Sequence, residues 1–333
     1  MDPIEQVQLA RTLIDIDSTT GQEAEACRWL AQWLRKRGYD VTEQPVSNNC
    51  FNIIANLGNP EIVFSTHIDC VPPFFPSREE NGILYGRGAC DAKGILSAQL
   101  AALERLRADG EHKVGLLVVV GEERGSHGAR AANTRHSESR YLINGEPTDN
   151  RLGAATRGVY RVRLIARGRM AHSSHPELGD SAIEKLLDAL RDLRTLPLPE
   201  HPELGRTFYT VGLISGGVAP NVVPATAEAE VNFRTVGPAE IVRESLAPLV
   251  DKVVLDDVVE VPPVVLETVP GFSTEVFPFT TDIPFLSAWG KPLLFGPGSV
   301  LVAHTENENI KIKELTEAVD HYERLARQLL LNG

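Results

Sequence analysis

The feature that most constrains the fold is a set of short, nearly continuous apolar segments that each end in polar residues. The clearest are EIVFSTHID (residues 61–69), KVGLLVVVGEE (113–123) and SRYLINGEPT (139–148). Continuous apolar runs are typical of strands that are buried on both faces in a parallel or mixed sheet. A helical segment, AKGILSAQLAALERLRADG (92–110), separates the first two strands. The sequence therefore predicts an α/β fold with a mixed, mostly parallel sheet flanked by helices.

The pattern changes near residue 158. The segment GVYRVRLIARGRMAHSS alternates apolar and polar residues, which is typical of half-solvated antiparallel strands. Two amphipathic helices and three further strands follow in the order β-α-β-β-α-β, which is the ferredoxin-like arrangement. We therefore expect residues 1–158 and 262–333 to form a metal-binding catalytic domain. Residues 159–261 are predicted to form an inserted α+β lid domain.

Charge and cysteine content exclude several classes of protein. The formal net charge of −12 argues against nucleic acid as a partner, because binding phosphates needs a basic face. No apolar run approaches the roughly 20 residues of a membrane-spanning helix, and the acidic, amphipathic start lacks the pattern of a signal peptide. The cysteines form no C-x-x-C pair, which predicts a reducing compartment, the cytoplasm. They are Cys27, Cys50, Cys70 and Cys90.

Metal-competent side chains follow the predicted strands or precede a predicted helix. In open α/β sheets, ligands bind at the carboxyl ends of the strands, so these side chains are candidates for one site. Two histidines and three carboxylates could hold two divalent ions if one carboxylate bridges them. Such nitrogen and oxygen donors suit zinc, with cobalt or manganese as alternatives. The candidates are His67, Asp69, Asp91, Glu122, Glu123, Glu146 and His304.

Each candidate by itself also has an ordinary structural interpretation. His67 is compatible with a strand-end histidine, Asp91 with a helix cap, and Glu122-Glu123 with a solvated turn. Glu146 could be a loop carboxylate and His304 a surface histidine. Their number and common placement favour the metal site.

The sequence spacing within two pairs of candidates indicates how their side chains could work together. His67 and Asp69 lie two residues apart on an extended strand, so Asp69 can accept the second ring N–H of His67 and fix its tautomer. Glu122 and Glu123 are adjacent, so in an extended segment their side chains diverge. One could then bind metal while the other remains free as a base.

Seven segments resemble, in order, the dizinc family of acetylornithine deacetylase, succinyl-diaminopimelate desuccinylase, aminoacylase and carboxypeptidase G. The resemblance covers about residues 60–310 and implies a zinc-peptidase-like domain that carries a ferredoxin-like insertion. The segments are STHIDCVP, LYGRGACDAKG, VVVGEERGSHGA, INGEPT, RMAHSSHPELGDSAI, GGVAPNVVPATAEAEVNFR and GPGSVLVAHTENE.

The resemblance implies a role for each matching residue. One zinc ion would bind His67 and Glu146, the other Glu123 and His304, and Asp91 would bridge them. Asp69 would orient His67, and Glu122 would be the general base. His172 would reach the substrate carbonyl across a homodimer formed through the inserted domain, and Asn221 and Arg234 would hold the α-carboxylate. The family also often has a cis peptide after the bridging aspartate, here between Asp91 and Ala92.

Three of these assignments have competing interpretations. Arg234 could pair with Glu230 on an alternating strand, Asn221 could be a turn residue, and His175 lies only three residues after His172.

The resemblance implies hydrolysis of the amide of a small N-acyl-L-amino acid, with acetylornithine deacetylation in arginine biosynthesis as the first expectation. The alternatives are N-acetylcitrulline or N-acetyl-lysine deacetylation, succinyl-diaminopimelate desuccinylation, a carboxypeptidase or dipeptidase, and a non-catalytic binding protein on the same fold.

Overall fold

The computed structural model describes residues 1–47 and 50–331, which divide into two compact units. The first unit comprises Met1–Ala154, Leu266–Glu275 and residues 281–331. The second comprises Ala155–Val265 and Val276–Thr280. The second unit is wider than the predicted insertion of residues 159–261, and its last five residues come from a separate part of the chain.

The α-helices are α1 (Pro3–Asp15), α2 (Ala24–Lys36), α3 (Lys93–Ala108), α4 (His127–Ala132), α5 (Ala182–Leu193), α6 (Ala239–Ser245) and α7 (Ile312–Leu331). Short 3-10 helices span Glu122–Arg124, Pro176–Leu178, Ala247–Leu249, Ile283–Phe285 and Ser287–Trp289. The strands are β1 (Asp40–Ser47), β2 (Cys50–Asn56), β3 (Ile62–His67), β4 (Arg78–Glu80), β5 (Ile83–Tyr85), β6 (Val114–Val119), β7 (Tyr141–Asn144), β8 (Leu152–Thr156), β9 (Gly158–Arg167), β10 (Ala171–His172), β11 (Glu200–His201), β12 (Gly205–Arg206), β13 (Phe208–Gly216), β14 (Val222–Val223), β15 (Thr226–Thr235), β16 (Val254–Val261), β17 (Val264–Val265), β18 (Thr274–Phe277), β19 (Lys291–Leu294) and β20 (Asn309–Lys311).

The first unit is built on a six-stranded sheet with the order β1-β2-β6-β3-β7-β19. Strands β6, β3, β7 and β19 run parallel, while β2 pairs antiparallel with both β6 and β1. Every residue of β3 and β6 is buried, as the continuous apolar runs predict. The mixed, largely parallel sheet is thus confirmed. Parallel pairing places the carboxyl ends of β3, β6 and β7 at one edge of the sheet.

Helices α1, α3 and α7 pack together in the main core of this unit. Helix α1 begins with Asp2 as its N-cap and Pro3 as its first residue, both of which are favoured at these positions. Most of α3 is buried on all sides, so it can be apolar around most of its circumference. Because α3 starts two residues after Asp91, its burial fixes where that carboxylate lies.

The second unit contains a four-stranded antiparallel sheet with the order β13-β15-β9-β16. Alternate residues of β9 and β15 are buried, together with one face of α5. On α5 the buried residues recur every three or four positions, and burying a leucine such as Leu186 contributes about 1.5–3 kcal/mol. Strand order and helix placement confirm the ferredoxin-like plan.

No helix in the described part of the chain is long and apolar enough to cross a membrane. All four cysteines carry free, buried thiols.

Candidate metal centre

His67 ends β3 and lies fully inside the first unit, with 1% of its surface exposed. Its Nδ1 lies 2.9 Å from the backbone carbonyl oxygen of Asp69, and its Nε2 lies 2.9 Å from Oδ1 of Asp91. A carbonyl only accepts, so Nδ1 carries a proton. In neutral His67 the lone pair of Nε2 would then face a carboxylate. This pair of groups is stable only with a proton or a metal ion between them.

Asp91 has a second histidine on its other oxygen. Nε2 of His304 lies 3.3 Å from Oδ2 of Asp91 and 3.0 Å from Oε1 of Glu123. His304 has φ +63°, a conformation that costs a non-glycine residue about 1–3 kcal/mol and often marks functional sites. Asp91 therefore stands between two histidines, each facing a different oxygen, which is the arrangement of a bridging carboxylate.

Glu146 follows β7 and is buried. Its Oε1 has no hydrogen-bond partner among the described residues. A buried carboxylate oxygen without a partner is costly unless it is protonated or meets a cation. Burial accordingly raises the pKa of Glu146 well above its usual value, and the neighbouring carboxylate of Asp91 adds to the rise.

The histidine pKa values shift in the opposite sense from that of Asp91. Burial by itself would lower the pKa of His67, but hydrogen bonds to Asp69 and Asp91 outweigh burial and raise it well above its usual value. Hydrogen bonds to Asp91 and Glu123 raise the pKa of His304 to about 10. Burial would raise the pKa of Asp91, yet the two histidines hold it well below its usual range. Without another cation, the histidines themselves carry the positive charge that these carboxylates attract.

The donor set fits a divalent cation. Ligand atoms of His67, Asp91 and Glu123 all lie within 4.8 Å of one another. Imidazole nitrogens and carboxylate oxygens are donors that zinc accepts. A cation bound here would displace the protons that the histidines take up.

Asp69 contacts His67 and also holds the Glu122–Glu123 turn. Its carboxylate Oδ1 is 3.5 Å from Nδ1 of His67, and the closer partner of that nitrogen is the Asp69 backbone oxygen. The carboxylate also accepts the backbone N–H groups of Glu122 and Glu123, at 3.0 and 3.2 Å, and the hydroxyl of Thr20 at 2.9 Å. Asp69 therefore anchors the Glu122–Glu123 turn directly.

The Glu122–Glu123 segment itself is a 3-10 helix and not the extended segment that was expected. The turn begins after Gly121, whose φ of +72° suits a residue without a Cβ. Glu123 reaches His304, and Glu122 has no side-chain hydrogen bond or ion pair among the described residues. Burial raises the pKa of Glu122 well above its usual value. The two side chains therefore diverge, although a turn and not an extended segment separates them.

Asp91 does not cap the helix that follows it, which removes one alternative interpretation. The N-cap of α3 is Ala92, without a side-chain bond, and the Asp91–Ala92 peptide is cis as the resemblance implied.

Three buried groups around the site were missed by the sequence reasoning. Asp282 is buried with its Oδ1 unpartnered, and Arg87 pairs with Glu308 directly behind Asp91. Arg87 lies in the segment LYGRGACDAKG and Glu308 in VLVAHTENE. Both segments carry the family resemblance, so two opposite charges within them could have indicated a pair near the site.

In the second unit, His172 and Asn221 are brought together by a short ribbon. Strand β10 pairs with β14 so that His172 opposes Val222, and the N–H of Ser173 donates to the Asn221 carbonyl at 3.0 Å. Nδ1 of His172 bonds the Ser174 hydroxyl at 2.7 Å, which leaves Nε2 directed elsewhere. The competing His175 instead pairs with Glu177 at 3.2 Å.

Arg234 lies on β15 and is half-buried. The expected alternative partner, Glu230, pairs with Arg163 at 3.0 Å instead. Arg234 has no side-chain hydrogen bond or ion pair with any residue that the structure describes. Burial and the nearby Arg161 lower its pKa. A half-buried guanidinium without a partner is suited to an anionic ligand.

Residues 63–328 match the family described as peptidase family M20/M25/M40. The chain belongs to this family. It is therefore a metallopeptidase that hydrolyses amide bonds, and the resemblance seen in the sequence is confirmed.

Curated relatives cover nearly the whole chain. A probable carboxypeptidase of Aspergillus clavatus is 38% identical in an alignment that covers 96% of this chain and 81% of the relative. A peptidase M20 domain-containing protein of Schizosaccharomyces pombe is 37% identical in an alignment that covers 96% of this chain and 83% of the relative.

Solved structures share the fold of this M20 chain. A tripeptidase from Staphylococcus aureus has a TM-score of 0.83 at 21% identity, covering 98% of this chain and 100% of its own. A metallo-carboxypeptidase of the M20 family from Sulfolobus solfataricus has a TM-score of 0.76 at 18% identity, covering 98% and 99%. A Bacillus subtilis protein described as a dinuclear metal-binding M20 peptidase has a TM-score of 0.72 at 16% identity, with 97% of both chains covered.

Proposed function

We propose that this M20 chain is a carboxypeptidase-like enzyme that cleaves an amide whose nitrogen belongs to a residue with a free α-carboxylate. The relatives' names favour the carboxypeptidase alternative. They do not support the first expectation of acetylornithine deacetylation in arginine biosynthesis. The proposed substrate is therefore a short peptide, cleaved before its carboxyl-terminal residue. N-acyl amino acids are the class of substrate with which such peptides are to be compared.

The observation that carries the proposal is the partnerless guanidinium of Arg234. A free α-carboxylate matches its planar donor pairs, and such bidentate pairs are among the stronger charge-assisted hydrogen bonds. Asn221 would add an amide donor to the same carboxylate.

The proposed metal ligands are those that the family resemblance implies, and the contacts of Asp91 with both histidines support them. His67 and Glu146 would hold one ion, Glu123 and His304 the other, and Asp91 would contact both. The proposed ions are zinc, with cobalt or manganese as substitutes. When bound, such ions supply Lewis acidity and lower the pKa of water towards about 7.

The protein's own groups would move the proton. Glu122 is anchored through its backbone by Asp69 and has no side-chain partner, so its carboxylate is free to take a proton from water. The same group would return that proton to the leaving amine. His172, through its Nε2, would donate a hydrogen bond to the carbonyl oxygen as negative charge develops there.

A homodimer through the second unit is also proposed. Strand β13 is an edge strand, and it and the loop after it expose the apolar side chains of Leu213, Ile214 and Val218. Exposed apolar edges are ready templates for pairing with another chain. Sedimentation equilibrium measures this directly, and a monomer at micromolar concentration would contradict it.

The test of the function is a panel of matched substrates with zinc or cobalt present. Short peptides with a free carboxyl terminus are compared with their carboxyl-terminal amides, with amino-acetylated peptides and with N-acetylornithine. We expect hydrolysis of the free and amino-acetylated peptides, and little hydrolysis of the amides. Replacing Arg234 by Met should remove most of this preference. Equal rates on the amides would refute the carboxylate requirement, and faster cleavage of N-acetylornithine than of any peptide would restore the deacetylase.

A further inference from the structure

Arg87 and Glu308 form a buried ion pair that contacts the backbone of Asp91. Nη1 of Arg87 is 2.6 Å from Oε2 of Glu308, and the two side chains are 2% and 1% exposed. Removing two charges from water costs about as much as their attraction returns, so a buried pair is a weak source of stability. Its position next to the metal centre indicates another role.

Glu308 binds the loop that carries Asp91. Its Oε1 accepts the backbone N–H groups of Gly88, Cys90 and Asp91 at 2.9, 3.1 and 3.0 Å. Three amides that converge on one oxygen form an anion-binding concavity of the kind that successive N–H groups make. The loop cannot shift away from Glu308 without leaving several of these buried donors unsatisfied.

The pair also reaches the segment that carries His304. Glu308 lies four residues after His304, and its carbonyl accepts the N–H of Gly86 at 3.2 Å. The contact continues the antiparallel pairing of β20 with β5, in which Asn309 opposes Tyr85.

On its other side, Arg87 holds the segment that follows His67. Its Nε donates to the carbonyl of Pro73 at 3.2 Å, and its backbone N–H donates to the carbonyl of Phe75 at 3.1 Å. Its guanidinium carbon lies 4.9 Å from the centre of the Phe75 ring, within range of a cation–π interaction. Segments that carry His67, Asp91 and His304 therefore meet at one ion pair.

We propose that Arg87 and Glu308 are positioning residues that set the spacing of these three metal-ligating segments and thereby the affinity of the centre for its ions. The proposal rests on the proposed metal site. Neither side chain ligates the metal, because the carboxylate of Glu308 is already occupied by Arg87 and three backbone amides.

The experiment uses the whole chain with Arg87→Met, Glu308→Gln, the double variant and the conservative Arg87→Lys. Leu34→Ala is the control, because Leu34 is a fully buried residue of α2 that makes none of these contacts. The first measurement is hydrogen exchange in the metal-free protein, followed by mass spectrometry of peptides. The second is calorimetric titration of the same samples with Co²⁺.

We expect faster exchange in residues 74–75, 86–91 and 304–308 of the first three variants. Their Co²⁺ affinity should be about 10–100-fold weaker, as for other residues that orient metal ligands. Arg87→Lys keeps the charge and should restore most of the affinity. Leu34→Ala should lower the melting temperature without changing affinity. The double variant leaves no unpaired buried charge, so it covers the case in which the single variants fail to fold.

Unchanged Co²⁺ affinity in variants that fold overturns the proposal. So does a loss of Co²⁺ affinity no larger than that of Leu34→Ala, together with faster hydrogen exchange throughout the chain. If the unsubstituted protein binds no Co²⁺, the proposed metal site fails instead. In that case the exchange measurement still decides whether the pair orders the three segments.

Discussion

Replacing Asp69 by asparagine tests how the Glu122–Glu123 turn is held. In the native protein both carboxylate oxygens are used: Oδ1 accepts the N–H of Glu122, and Oδ2 accepts the N–H of Glu123 and the hydroxyl of Thr20. An amide offers one oxygen and one NH₂ group. In either orientation the NH₂ therefore faces a backbone N–H, and donor meets donor.

The magnitude follows from these contacts. A hydrogen bond to a charged group contributes about 1.5–3 kcal/mol, and the remaining bond becomes a weaker neutral one. We therefore expect Asp69→Asn to lower the free energy of unfolding by about 2–4 kcal/mol. Asp17→Asn is the matched control, because its two hydrogen bonds, from the N–H and hydroxyl of Thr19, both go to one oxygen that asparagine can retain.

The pH dependence gives a second check on the same variant. Burial would raise the pKa of Asp69, but the hydrogen bonds from His67, Thr20 and the Glu122 N–H lower it below its usual value. A carboxyl with a lowered folded-state pKa stabilises the fold above its unfolded-state pKa of about 3.9, and this stabilisation is lost as the pH falls through the folded-state value. The difference between the native protein and the variant should be complete at pH 7 and shrink below about pH 4.

The assay is urea unfolding of the metal-free protein followed by far-ultraviolet circular dichroism, with hydrogen exchange at Glu122 and Glu123 as the local measure. A loss below about 1 kcal/mol, or unchanged protection of these two amides, would show that the turn does not depend on the carboxylate.

Three further predictions concern single residues of the first unit. Burial raises the pKa of Asp282 to about 6, so the ionised carboxylate destabilises the fold. Relative to the native metal-free protein, the free energy of unfolding of Asp282→Asn should therefore rise by about 3 kcal/mol between pH 4 and pH 7. A difference in urea unfolding between the two proteins that does not change with pH would contradict this. A Cβ on Gly94 would lie 2.1 Å from the Ala89 carbonyl oxygen, so Gly94→Ala should cost about 1–3 kcal/mol in thermal unfolding, whereas Gly58→Ala, with its nearest contact at 3.8 Å, should be near neutral. Glu122→Gln should reduce kcat about 100- to 10,000-fold with the metal content unchanged, and near-normal turnover with both metals bound would refute the role of general base.

Much of the fold could be predicted from local patterns. Continuous apolar runs identified the buried strands β3 and β6, and alternation identified the half-exposed strand β9. Side-chain periodicity follows directly from backbone geometry, so it is visible in one sequence. The short segment Val276–Thr280, which completes the second unit, shows no such pattern.

The sequence by itself determined which residue types follow the predicted strands or precede a predicted helix. It therefore identified candidates for one centre, namely His67, Asp91, Glu123, Glu146 and His304. Tertiary structure decided how they face each other: the two oxygens of Asp91 turn to different histidines, and Asp69 also holds the backbone turn of Glu122 and Glu123. Tertiary structure also brought together Arg87 and Glu308, which lie 221 residues apart in the chain. Periodicity records which side of an element is buried, whereas the partner of a buried charge depends on which distant segment the fold brings beside it.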